Sequence, residues 1–214
     1  MQKVQSDLPD IGDLLFGKQP PVLADEVVRL EPLVKTHQAG MSLATAEPEL
    51  WKHLPFALTD RSSVALLVER ALQLREQREH QPFAIVSRSN GEFIGATHYM
   101  DIVIEHRRLE IGSTWIRKDF QGTAVNSRCK LLLLNYAFDV LRLNRVSLKT
   151  DILNTRSQRA IEAIGATQEG VFRRHMVRRD GSLRDTVYYS FIAEEWPQKR
   201  KALEGRIRAK DAGA

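Results

Sequence analysis

One cysteine in 214 residues excludes an internal disulfide. Cys129 sits beside a block of four leucines, where a small buried side chain is the economical reading and a nucleophile is not. Six histidines (His37, His53, His80, His98, His106 and His175) show no pairing at metal-ligand spacing, and no CxxC motif completes a zinc site, so no metal is expected. Long apolar runs are missing as well. The longest hold about four or five residues, against the ~20 that cross a bilayer. The opening MQKVQSDLPDIGDLLF carries acids and a proline where a signal peptide needs an unbroken apolar stretch. A cytoplasmic chain without membrane contact is expected.

What is present fits a soluble globular protein: 43% hydrophobic and 28% charged residues, enough for a sizeable core. The net charge of +5 is local. Residues 196–214 hold six basic side chains against Glu204 and Asp211, which leaves the other 195 residues at +1. No aromatic and basic interleaving accompanies this tail, so it reads as a solvated, peripheral helix end and argues against nucleic acid as a partner.

The chain divides into a loosely attached leader (1–24), a main domain (25–195) and the basic helix or tail (196–214). Pro20-Pro21 breaks any helix begun at residues 11–16. EVVRLEPL reads as a strand and residues 36–76 as mainly helical. FAIVSR and EFIGATHYM flank Ser89-Asn90-Gly91, and VFRRHMVRR and SLRDTVYYSFI flank Asp180-Gly181, two hairpin signals. Between them come a strand (LEIGSTWI), a buried helix over about 127–143, a strand (RVSLKT) and a helix over 155–164. Thr155 and Gln158 are spaced as a capping box for that last helix. Two strand–helix units after an antiparallel meander predict an α/β fold with a mixed central sheet of about six to seven strands, flanked by helices. Ligands in such sheets gather beyond the carboxyl ends of strands, where the loops 121–126 and 151–157 both fall.

FQGTAVN (120–126) joins a strand to the buried helix. The first amides of such a helix lack partners and form an anion site, with Gly122 allowing close approach and Thr123 able to add a hydroxyl. A plain strand–helix turn explains the same residues, and the phosphate-loop pattern GxxxxGK[ST] and the dinucleotide pattern GxGxxG are both absent.

LEIGSTWIRKDFQGTAVN, the helix after it, and RVSLKTDILNTRSQRAIEAIGATQEGVFRRH together resemble the GCN5-related N-acetyltransferases, closest to the RimJ/RimL-like branch. The resemblance covers about residues 26–195. It implies the acyl-CoA N-acyltransferase fold and acetyl-CoA as co-substrate. The family's loop pattern, Gln/Arg-x-x-Gly-x-Gly/Ala, falls on Gln121, Gly122, Thr123, Ala124, Val125 and Asn126 as the pyrophosphate cradle. Ala124 and Asn126 depart from it, yet neither change removes a backbone N–H. Ala124 then requires an ordinary helical φ.

By the same resemblance Ser113, Thr114, Trp115 and Ile116 line the pantetheine arm, although Trp115 and Ile116 also suit the sheet core. Asn154 would meet that arm and Ser157 would serve the leaving sulfur; a helix cap and a first-turn residue are the local alternatives. Glu110 is the first candidate for a general base, with a salt-bridged strand position the competing reading. A glutamate that some relatives carry near the last hairpin is replaced here by Met176, beside His175. The arginines Arg173, Arg174, Arg178, Arg179 and Arg184 could hold the cofactor's 3′-phosphate or an acidic substrate, but as a group they better suit the solvated face of an exposed hairpin and receive no role. The implied activity is acetyl transfer to a primary amine, foremost a protein N-terminal α-amine. A small-molecule amine, or a non-catalytic acyl-CoA-binding module, are the alternatives, and a homodimer covering an edge strand stays open.

Overall fold

Segments rich in β-branched and aromatic residues recur along the chain with turn residues between them, and they assemble into one sheet. The computed structural model describes residues 8–213. Helix α1 (Ile11–Phe16) leads into β1 (Leu23–Ala24) and β2 (Val28–Pro32). The short α2 (Gln38–Met41), flanked by 3₁₀ turns, and α3 (Arg61–Glu76) follow. A meander of β3 (Gln81–Ser87), β4 (Phe93–Val103) and β5 (Arg108–Ile116) comes next, then α4 (Val125–Asn135) with a π-wound last turn, Tyr136–Val140. The chain ends with β6 (Arg145–Asp151), α5 (Thr155–Ala163), β7 (Thr167–Val177), β8 (Leu183–Ile192) and α6 (Trp196–Ala212).

The spatial order is β1-β2-β3-β4-β5-β6-β8-β7, antiparallel throughout except for the β5–β6 pair. The mixed α/β sheet is the expected one. It has eight strands, the two-residue β1 taking it past the six or seven foreseen. Within residues 36–76, much of the expected helix is 3₁₀: Ser42–Ala46 and Pro48–Trp51.

Two cores flank the sheet. One buries Leu109, Ile111, Ile116, Val146, Leu148, Val187, Tyr189 and Phe191 under α1, α4, α5 and α6. The other packs Ala96 and Trp115 with Met41, Trp51, Val64 and Val68 from the α2–α3 side. Strand residues alternate faces, so Ile111 and Trp115 could not belong to opposite cores in an unbroken strand. Ser113 resolves this. Its φ of +49° marks a bulge, and the β4–β5 register slips by one residue between Trp115 and Gly112. Glu110 therefore faces the α2–α3 side, while Thr114 turns toward α4.

The stretch expected to be a loose leader is docked from Ile11 onward. Ile11 and Leu15 are fully buried in the α4-side core, and Leu23–Ala24 pair with β2. Residues 1–7 lie outside the described residues. Arg128 of α4, 7% exposed, binds Asp25, Glu26 and Asp211 and so ties α4 to the β1–β2 turn and to α6. Glu26 and Asp211 are well exposed, so removing the arginine chiefly costs its own hydrogen bonds and packing. Arg128→Ala is expected to lower unfolding free energy by about 1–2 kcal/mol, measured by urea denaturation; no measurable loss would show the cluster to be dispensable.

Candidate functional site

β5 and β6 run parallel and pair over only three residues each, Arg108–Glu110 against Arg145–Ser147. Beyond them the strands part. β6 keeps its full ladder with β8, and β5 keeps its pairing with β4, so each strand retains one free edge facing the other. The opening forms a cleft of about 780 Å³.

Both loops singled out in the sequence line this cleft. After Ile116 the chain makes a 3₁₀ turn, Lys118–Phe120, and reaches Gly122 at φ +81°, a left-handed conformation that a glycine adopts freely. Ala124 then sits at φ −73°, ψ −11°, the helical geometry its side chain demands. The Gln121 side-chain Nε2 donates to the Ile116 carbonyl at 2.7 Å and fixes the loop. The Thr123 hydroxyl donates to the Phe120 carbonyl at 2.7 Å and accepts the Val125 amide at 3.3 Å, so it braces the turn. Ala124, at the N-cap position of α4, offers no side-chain cap. The Asn126 and Ser127 amides at its first turn find no acceptor among the described residues and make a ready anion site. Gln121, Gly122, Thr123 and Asn126 line the cleft, whereas Ala124 and Val125 are buried beneath it in the α4-side core.

Of the β5 residues, Thr114, Trp115 and Ile116 all border the cleft. The Trp115 ring packs 5.0 Å from Trp51 and 5.6 Å from Phe93, and Ile116 belongs to the opposite core. Their side chains are core and their main chain is the wall. At α5 the expected Thr155–Gln158 capping box does not form. Asn154, a stronger cap, accepts the Ser157 amide at 3.0 Å, and the Gln158 side chain turns back to the Ile152 carbonyl at 2.7 Å. Asn154 and Ser157 both line the cleft, and the Ser157 hydroxyl makes no hydrogen bond among the described residues.

Glu110 is buried on the α2–α3 side, with Lys149 Nζ at 2.8 Å. Burial pushes its carboxyl above the usual range, and Lys149 offsets this only in part. Burial also works against the Lys149 ammonium, but that side chain is 21% exposed against 3% for Glu110, so there the ion pair prevails and raises its pKa. Met176 and Arg184 of the last hairpin and His53 and Leu54 of the segment after Trp51 border the same end.

Of the cleft residues that escaped the sequence reading, three stand out. Arg206 and Lys210 of α6 lie at the phosphate-loop end, and Lys210 Nζ donates to the Gly122 and Thr123 carbonyls at 3.2 Å. The basic tail is thus neither solvated throughout nor peripheral: Trp196, Leu203 and Ile207 dock it. Lys130 is 4% exposed and donates to Thr114 Oγ1 at 2.7 Å, with no carboxylate within 4.0 Å among the described residues. A lysine in the middle of a leucine-rich buried helix was the available signal. Cys129 beside it is fully buried, its thiol pushed up to about 12, which rules out a nucleophile.

Burial pulls the Lys130 ammonium down to about 8. NMR of selectively labelled lysines is expected to show one ammonium titrating near that value and absent from Lys130→Met. A titration near the ordinary ~10.4 would mean the cation is hydrated.

The family described as "Acetyltransferase (GNAT) domain" matches residues 28–167. A Bacillus subtilis strain 168 protein, YdaF, provisionally named a ribosomal N-acetyltransferase, is 37% identical over 99 residues, 46% of this chain and 52% of that relative. The chain thus spans about half the length of that relative. A solved structure from T. thermophilus, provisionally titled an acetyltransferase, is 37% identical, with a TM-score of 0.79 over 88% of this chain and 98% of that one. The fold is also that of Mycobacterium smegmatis RimJ in complex with CoA-disulfide, at 22% identity and a TM-score of 0.73 over 87% of this chain and 93% of that one.

Proposed function

The chain belongs to the GNAT acetyltransferase family, and from that premise we propose that it moves an acetyl group from acetyl-CoA to a protein N-terminal α-amine, by direct attack of the amine on the thioester. The parting of β5 and β6 carries the proposal. A gap through the sheet joins an anion site on the α4 side to a buried carboxylate on the α2–α3 side.

Six residue steps separate Glu110 from Ile116, roughly 20 Å of strand. An extended pantetheine arm suits that length and would hydrogen-bond to the free edge of β5 as an added strand does. Its diphosphate would receive the Asn126 and Ser127 amides, with Lys210 and Arg206 adjacent. The two departures from the loop pattern leave that cradle intact, because the φ of Ala124 is helical and Asn126 keeps its amide free. Lys130, buried behind Thr114, adds positive charge along the same wall. The Asn154 side-chain N–H₂ and the free Ser157 hydroxyl border the arm, Ser157 being the candidate to protonate the departing thiolate.

Attack requires a neutral amine. Glu110 is the base this site offers, directly or through a water, because its buried carboxylate has a raised proton affinity. The same modest base favours an α-amine. At pH 7 an α-amine is ~10% neutral and a lysine amine below ~0.1%. The name of the Bacillus subtilis relative points the same way, toward a ribosomal protein.

Thiol release from acetyl-CoA with paired peptides tests the proposal: one offers only a free N-terminus, the other only a lysine side chain. The first should turn over faster; the reverse order, or a preference for small amines, would overturn the acceptor assignment. Glu110→Gln is expected to cut kcat about a hundredfold or more while leaving cofactor affinity unchanged by calorimetry. In the wild type, activity should fall as pH drops through the raised Glu110 pKa. Lys149→Met removes the group that lowers that pKa, so the acidic limb should move to higher pH; a limb that stays in place would take Glu110 out of the rate-controlling ionisation.

A further inference from the structure

On β8, Val187, Tyr189 and Phe191 point into the α4-side core, so Arg184, Thr186, Tyr188 and Ser190 face the other way. This is the face of Glu110. Ser190 pairs with Ser147, Tyr188 pairs with Lys149, and Lys149 holds Glu110. Arg184 therefore borders the Glu110 side of the cleft, with Met176 its register partner.

Three neighbouring cations are committed. Lys149 is held by Glu110, Arg145 by Glu169, and Arg178 grips both oxygens of Asp151 at 2.6 and 2.9 Å. Arg184 is different: among the described residues no carboxylate lies within 4.0 Å of it, and its buried Nε–H has no hydrogen-bond partner. The half-buried guanidinium gives up hydration, and the Asp151 and Glu110 carboxylates attract it only from beyond ion-pair distance. A planar fork of N–H donors fits a carboxylate in two-point contact. Lys52 and His53 on the facing wall add no negative charge, Glu49 beside them adds one, and burial keeps the His53 pKa below its ordinary value.

We propose that Arg184 receives a carboxylate of the acceptor, so that the preferred substrate is a protein N-terminus with an aspartate or glutamate among its first three residues. This rests on the acetyl-transfer assignment above. Four residues, roughly 13 Å along the strand, separate Arg184 from Tyr188 beside the Glu110–Lys149 pair. The arginine side chain and an acidic side chain together close that distance, which puts the anion one or two residues after the reacting amine.

The test uses three peptides identical except at positions two and three, carrying Asp-Asp, Ala-Ala or Lys-Lys, with thiol release read as kcat/KM. The wild type should favour the Asp-Asp peptide over Ala-Ala at least tenfold, mostly through KM. Arg184→Ala should reduce that ratio to within twofold, Arg184→Lys should restore part of it, and Arg184→Glu should favour Lys-Lys. Thermal melts confirm that each variant folds. Equal wild-type rates on Asp-Asp and Ala-Ala would overturn the Arg184 role and leave the acetyl-transfer assignment standing. No turnover on any peptide would count against that assignment. Arg184 would then be read from calorimetry of the N-acetylated peptides with CoA present: tighter binding of the acidic peptide, lost in Arg184→Ala, supports the role, and equal binding rejects it.

Discussion

Two parallel strands that hydrogen-bond over three residues and then separate set the terms for the rest of this molecule. Main-chain N–H and C=O groups inside a protein need partners. β5 and β6 satisfy their outer edges with β4 and β8, and leave the inner edges of Ile111–Ile116 and Leu148–Asp151 facing each other across the gap. A ligand with its own amides can complete that ladder, which another side chain in the core cannot. The helices then follow from position: α4 and α5 start where β5 and β6 end, so both N-termini open onto the same cleft.

Charge is sorted along the gap in a way that matches its two sides. At the α4 end lie free helix amides, Lys210, Arg206 and the buried Lys130. Through the sheet lie the Glu110–Lys149 pair and, beyond it, Arg184. The Ser113 bulge makes the division work. By reversing the alternation of β5 it sends Glu110 to one face and Thr114 to the other, so a single strand presents a carboxylate on one side and a hydroxyl on the other.

Much of the architecture was legible because it is local. Asn90-Gly91 and Asp180-Gly181 announce their hairpins, and the buried helix after the loop follows from Leu131–Leu134. What was hidden depends on distant partners. A non-glycine residue at positive φ, such as Ser113, leaves no mark in composition, and the parting of β5 from β6 depends on register between segments far apart in sequence. The tail looked peripheral because Lys210 meets Gly122 across 88 residues. Asn154 and Thr155 are both good caps, and only the backbone decides between them. At Glu110 the sequence left a salt-bridged position and a base as rivals; the buried pair with Lys149 makes them compatible.

The most direct measurement is a crystal structure of the chain with acetyl-CoA bound. The account predicts the pantetheine arm between Gly112–Ile116 and Leu148–Asp151, the diphosphate on the Asn126 and Ser127 amides, and the acetyl carbon toward Glu110. Acetyl-CoA bound on the outer surface, with β5 and β6 drawn together along their full length, would contradict it.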